Sequence, residues 1–140
     1  MSTAPSRPQL VRKMNELAWT KLIWLFLLRQ FPGGGVMIGR ERQIWDKTRV
    51  DLLTADLALE VDWAHKWAEA FGQSDWYAFN FRRKRGVCIL SEDFKADANY
   101  IYKAQVICAL RGVEFWLVDC QKREIIINGD THPLDPPEEA

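Results

Sequence analysis

Hydrophobic spacing changes several times along the chain, and each change predicts a different element. Over 9–30, Leu10, Met14, Leu17, Lys21, Trp24 and Leu28 recur at threes and fours, the period of a helix. Its second half becomes apolar almost all round, as expected of a helix buried against a sheet. Phe31-Pro-Gly-Gly-Gly ends it. The three glycines suggest a phosphate cradle, but no Gly-Lys-Ser/Thr follows, so they read as a turn. Segment 36–45 alternates weakly through Val36 and Ile38. Segments 49–53 and 57–62 read as strands joined by a short Thr54-Ala-Asp link. Helical spacing returns over 64–82. Strands follow at 86–90, 113–118 and 124–128, with a helix over 95–110. Residues 1–8 read as a loose end. The acidic, proline-containing stretch 130–140 reads as an extended, solvated tail. The remaining 9–129 form one α/β domain, with a mixed central sheet flanked by helices.

The hairpin at 49–62 concentrates chemistry. A two-residue turn at Ala55-Asp56 would set Leu53 opposite Ala58 and Asp51 opposite Glu60. Alternation puts Glu60 and Asp62 on one sheet face. Asp51 would share it, its Cβ roughly 5 Å from that of Glu60. Like charges directly opposed destabilise a sheet, and more so when partly buried. Two readings are open. The acids line a solvated strand face, as antiparallel sheets often have, or a hard divalent cation lies between them. Mg²⁺ takes oxygen ligands and keeps several waters, so two carboxylates suffice.

The next helix carries a polar stripe. Lys66, Glu69, Gln73 and Tyr77 fall at i, i+3, i+7 and i+11, beside a more apolar face of Trp67, Ala70, Phe71 and Ser74. A lysine beside a carboxylate cluster can neutralise developing phosphorane charge or orient an attacking water. The plainer alternative for Lys66 and Glu69 is an exposed ion pair of little worth.

Arg49-Val-Asp51, Leu59-Glu-Val-Asp62 and Gln73-Ser-Asp-Trp-Tyr77 together resemble the PD-(D/E)XK nuclease superfamily. They are most similar to its RecB-like branch and to small stand-alone, phage-type members. The motifs cover 49–77, and the order of elements extends the likeness over about 10–118. The resemblance implies a restriction-endonuclease-like core, α-β-β-β-α-β. It also implies Mg²⁺-dependent hydrolysis of phosphodiester bonds, in DNA rather than RNA, with Mn²⁺ as a possible substitute. Asp51, Glu60 and the carbonyl of Val61 would be the metal ligands, and Gln73 and Tyr77 would support the site and contact nucleic acid. One departure is plain: Asp62 stands where the family carries its catalytic lysine, and Lys66 would have to reach back from the helix. A chain in which it does not would be a nuclease-fold module that binds nucleic acid or a protein without cutting. Glu16 matches an acid that some members supply from the first helix.

Charge adjusts this picture. Nineteen Lys and Arg balance nineteen Asp and Glu, which argues against avid, sequence-blind coating of nucleic acid. Four of the acids lie in 130–140, leaving nineteen cations against fifteen acids, +4, on the rest. Arg82-Arg-Lys-Arg85 follows the motif helix, while Arg40, Arg42, Lys47 and Arg49 precede or open the hairpin. Both groups are expected to meet phosphates beside the site, or else to mark a solvated face. Trp45, Trp63, Trp67 and Trp76 include candidate base-stacking rings, though most tryptophans at such spacing are core. The three cysteines make no Cys-x-x-Cys pair, and two histidines are too few for a His/Cys zinc site. No apolar run approaches the twenty residues a bilayer needs. The expected protein is cytoplasmic, with no membrane partner, and would need a homodimer to cut both strands at once.

Overall fold

Asn15 opens the first helix. Its side-chain oxygen accepts the Ala18 N–H at 2.9 Å, so an otherwise unpaired donor of the first turn is satisfied. The computed structural model describes residues 14–30 and 39–135. Within them α1 runs Glu16–Gln30, capped by Asn15. Positions 1–13, the glycine turn, Val36, Ile38 and 136–140 lie outside the described residues. The other elements are β1 (Gly39–Gln43), β2 (Arg49–Leu53), β3 (Leu57–Trp63), a 3-10 turn (Ala64–Lys66) and α2 (Trp67–Phe81). Then come β4 (Lys84–Ser91), α3 (Ala98–Arg111), β5 (Glu114–Asp119), β6 (Glu124–Ile127) and β7 (Asp130–Pro133).

The strands form one seven-stranded sheet in sequence order. β1, β2 and β3 are an antiparallel meander, whereas β3, β4 and β5 run parallel. Parallel neighbours need a crossover, and α2 and α3 supply the two crossovers. β6 and β7 return antiparallel. The chain is therefore α/β with a mixed sheet. α1 buries Ile23, Phe26 and Leu27 on the face carrying Leu59, Val61, Cys88 and Val118. α2 and α3 cover the opposite face through Ala70, Ala104 and Cys108 against Val87 and Ile89.

Two contacts fix α2 where the site needs it. Buried Ser74 donates its hydroxyl to the Ala58 carbonyl at 3.1 Å and accepts the Gly86 N–H at 2.9 Å, joining the helix to β3 and β4 at once. Tyr77 and Ala78 pack on Val50, Leu53 and Ala58.

The acidic tail departs from expectation. Instead of a solvated end, Asp130–Pro133 pairs with β6, and Leu134 is fully buried in the α1-side core. Asn128 and Gly129 both have positive φ, 52° and 84°. Those are the angles of a two-residue type I′ turn, whose preferred sequence is Asn-Gly. The turn folds the chain back, and His132 then stacks on Phe26 with ring centroids 5.4 Å apart. Leu134→Ala should cost about 2–5 kcal/mol, the cost of a cavity in a core, read as a shift in the denaturation midpoint. A loss within about 0.5 kcal/mol, the range for surface substitutions, would return the segment to a solvated tail.

Candidate functional site

The β2–β3 hairpin begins as its sequence requires. Thr54 accepts the N–H groups of Asp56 and Leu57 on its hydroxyl at 3.1 and 2.8 Å, closing the short turn. Leu53 pairs with Ala58, and Leu52 with Leu59. At the next pair the regular ladder gives way to side chains. The Asp51 N–H donates to Glu60 Oε2 at 3.0 Å, and the Val61 N–H donates to Asp51 Oδ2 at 2.8 Å. Each carboxylate thus takes an amide of the other strand. Val50 and Leu53, although of opposite parity, enter the same cluster with Tyr77 and Ala78.

Glu60 and Asp62 have the parity of Ala58 and are both buried, at 3% and 8% exposure. Burial is the main cause that pushes the Glu60 carboxyl well above the usual range; Asp51 adds to it through its charge and a carboxyl–carboxyl hydrogen bond. Glu16, at the start of α1, joins the same group. Its carboxyl is raised to about 7, first by burial, then by the charges of Asp51 and Asp62 and a hydrogen bond to Asp62. Asp62 is raised too, chiefly by burial, although the Trp63 N–H at 2.8 Å and the Lys66 ammonium favour its charged form. Four carboxyls therefore lie close enough to act on one another, Asp51 with Glu60 and Glu16 with Asp62.

Lys66 is exposed at the end of the 3-10 turn, and its charge is felt by both Glu16 and Asp62. Glu69, one turn into α2, acts on Asp62 in the opposite sense. Tyr77 is buried on the same helix. Burial raises its phenol, as do Glu60, Asp46 and Asp51, while a hydrogen bond to Thr48 lowers it. Thr48 is held in turn by Asp46, which accepts its hydroxyl at 2.6 Å and its N–H at 3.0 Å. Asp46 and Thr48 were not among the candidates from sequence; the Asp-Lys-Thr turn between two strands was the available signal. Gln73 lies exposed on α2, a turn before Tyr77.

The basic residues are placed elsewhere. Lys84 pairs with Leu57, three positions before Glu60, so Arg82, Arg83, Lys84 and Arg85 start roughly 10 Å along the sheet from the acids. Arg83 is committed to the carbonyls of Thr54 and Phe81 at 3.0 and 2.7 Å. Arg85 is committed to Asp75 at 3.3 Å and to the Arg111 carbonyl. These two arginines latch the end of α2 to the sheet. Arg49 is exposed at the start of β2, two residues from Asp51. The side chains of Arg40 and Arg42 lie outside the described residues.

Among the described residues, no three Asp, Glu, His or Cys side chains are grouped as a ready-made metal cage. Asp51 and Glu60 are nonetheless two hard oxygen donors held together at low exposure, and two carboxylates with waters meet the usual needs of Mg²⁺. Val61 offers its N–H to Asp51, while its side chain belongs to the core.

The raised carboxyls set a direction for pH. Between about 4.5 and about 7 the unfolded chain has released the Glu16 proton that the folded chain keeps, so stability falls as pH rises through that window. Glu60 contributes in the same sense. Without divalent ions, the melting midpoint should drop over this range, and Glu16→Gln or Glu60→Gln should flatten the slope. Added Mg²⁺ should raise the midpoint more at pH 7.5 than at pH 5, since it competes with those protons. Identical slopes in all three proteins would remove the pairs from the account.

No helix among the described residues is long and apolar enough to cross a membrane. No family model, curated protein or solved structure matches the chain.

Proposed function

We propose that the chain is a Mg²⁺-dependent nuclease of the PD-(D/E)XK type, hydrolysing phosphodiester bonds in DNA rather than RNA. The observation that carries this reading is the reciprocal grip of Asp51 and Glu60 where the β2–β3 ladder ends. Two carboxylates kept together in a protein interior need protons or a cation between them. The order α1-β1-β2-β3-α2-β4, with β4 parallel to β3, supports the restriction-endonuclease-like arrangement. Asp51 and Glu60 would hold the ion, which when bound supplies Lewis acidity toward a phosphoryl oxygen and acidifies a water.

The chain's own groups do the rest. Lys66 places a mobile ammonium beside Asp62 and Glu16, where it can offset negative charge that develops on phosphate. Glu16, raised to about 7 by burial and by the charges of Asp51 and Asp62, is suited to take up or pass on a proton. Tyr77, held by Thr48, closes the α2 side of the site. Severing both strands of a duplex at once takes two copies.

One observation favours a second reading, a nucleic-acid-binding module of the same architecture that does not cut. Asp62 occupies the lysine position and lies beside Glu16, and among the described residues the cation acting on both is the exposed Lys66.

Incubation with plasmid, linear and single-stranded DNA, with Mg²⁺ or Mn²⁺ and with chelator, separates the two. Cutting should require metal. Asp51→Asn and Glu60→Gln should each lower it by about a thousandfold or more with the fold retained by circular dichroism. Lys66→Ala should lower turnover by about a hundredfold with little change in metal affinity by titration calorimetry. Full activity in either carboxylate variant would sink the nuclease reading; metal binding without cutting of any substrate would select the second.

A further inference from the structure

The outer face of α2 and the β1–β2 turn carry three large rings that no core uses. Trp45 is 76% exposed, Phe79 75% and Trp76 40%. They form one ladder: Trp45 meets Trp76 edge-on at 6.1 Å between centroids, and Trp76 stacks on Phe79 at 6.2 Å with planes 23° apart. A contiguous exposed apolar patch of this kind marks an interaction surface.

The ladder is built rather than incidental. The Trp45 indole N–H donates to Asn80 Oδ1 at 2.9 Å, and Asn80 is itself anchored to the Trp76 carbonyl. The Trp76 N–H donates to Asp46 Oδ2 at 3.2 Å. Both polar edges are thus satisfied within the protein, and what remains for a ligand is ring face. Gly72, four residues before Trp76 on the same helix stripe, brings no side chain over that ring, and a Cβ there would meet nothing within 4 Å. Open depressions of about 530 and 350 Å³ run along this face and share Phe79.

Charge says what the faces suit. The second depression is bordered by Arg83, Lys84 and Arg85, and Lys47 is exposed beside Trp45 at the other end. The two acids in the patch are engaged, Asp46 by Thr48 and Trp76, Asp75 by Arg85. Flat rings between cations fit a polyanion with flat, unpaired bases, since every base has a π-face and phosphates meet the basic rim. Trp76 bonds to Asp46 and Asp46 to Thr48, which immediately precedes β2, the strand that carries Asp51.

We infer that Trp45, Trp76 and Phe79 form a stacking platform for unpaired bases, which feeds single-stranded nucleic acid, or the single-stranded end of a longer substrate, to the acidic site. The inference rests on the nuclease reading and names its substrate class. Bases stack on the free faces of Trp45 and Phe79, while phosphates contact Lys47 at one end and Lys84 at the other. Duplex, with its bases stacked internally, cannot use the rings.

Fluorescence anisotropy of labelled oligo(dT), oligo(rU) and a duplex of equal length, measured in chelator so that nothing is cut, tests this. Oligo(dT) should bind more tightly than duplex, and the oligo(rU) arm shows whether the platform separates DNA from RNA. Trp45→Ala and Phe79→Ala should each weaken single-strand binding by about tenfold or more and leave duplex binding unchanged. Trp45→Phe, which keeps the ring and loses the Asn80 bond, should retain most of the affinity. Single-strand binding unaffected by both alanine variants overturns the platform, as does absence of single-strand binding in the native protein or capture of a protein partner in its place. Because binding is read without metal, a platform that binds while no substrate is cut condemns only the nuclease reading. Cutting of duplex at full rate in both alanine variants, with no single-strand binding, condemns only the platform.

Discussion

The exchange between Asp51 and Glu60 is the constraint on which the rest of the site depends. A hairpin strand pair satisfies its backbone with its own ladder, and here the ladder stops after two pairs because each strand offers a carboxylate to the other's amide. The backbone remains paired, so the interruption leaves no buried donor unsatisfied. Its cost is electrostatic. Buried Glu60 lies beside half-buried Asp51, and burial pushes Glu60 toward its neutral form. Everything that keeps β2 and β3 in this geometry, above all the Thr54 turn and the packing of α2, serves to hold an arrangement that the isolated hairpin would relax.

α2 is the element that makes this possible. It is tied inward by Ser74, whose hydroxyl bonds to both β3 and β4. It is tied laterally by Trp76 and Asn80 to the β1–β2 turn, and at its end by Arg83 to the turn before β3. One helix therefore fixes the sheet, the Tyr77 wall of the acidic site and the aromatic ladder. Its three faces serve three purposes: Ala70, Ser74 and Ala78 are small where strands approach closely, Tyr77 points toward the acids, and Trp76 and Phe79 are left outside.

Much of this was legible in the chain. The strand boundaries at Arg49–Leu53 and the register Leu53 to Ala58 follow from a two-residue turn and alternation. The closeness of Asp51 and Glu60 follows from the same count. What periodicity cannot report is the side chain replacing the ladder at Asp51, because that choice depends on what α2 and Glu16 place around the strands. For the basic run at 82–85, composition locates the cations but not their partners: Arg83 is bonded to carbonyls and Arg85 to Asp75. At the tail, a turn and a buried leucine outweigh prolines and acids. Asn128-Gly129 is a strong short-range hairpin signal, and Leu134 had a core position waiting on α1.

Asp62 brings a further acid into the same group. A lysine there would have offset the charge of its neighbours directly. An aspartate adds to that charge, yet burial and the charges of Asp51 and Asp62 raise Glu16 to about 7, so that Glu16 adds less. The cluster's negative charge is therefore smaller than four carboxyls suggest and adjusts to what approaches. A divalent cation at Asp51 and Glu60 would lower the proton affinity of every carboxyl around it, releasing their protons and leaving Lys66 as the counter-charge to Asp62. With an acid rather than a cation at position 62, the charge there is offset by the Lys66 ammonium and by the proton that burial favours on Glu16.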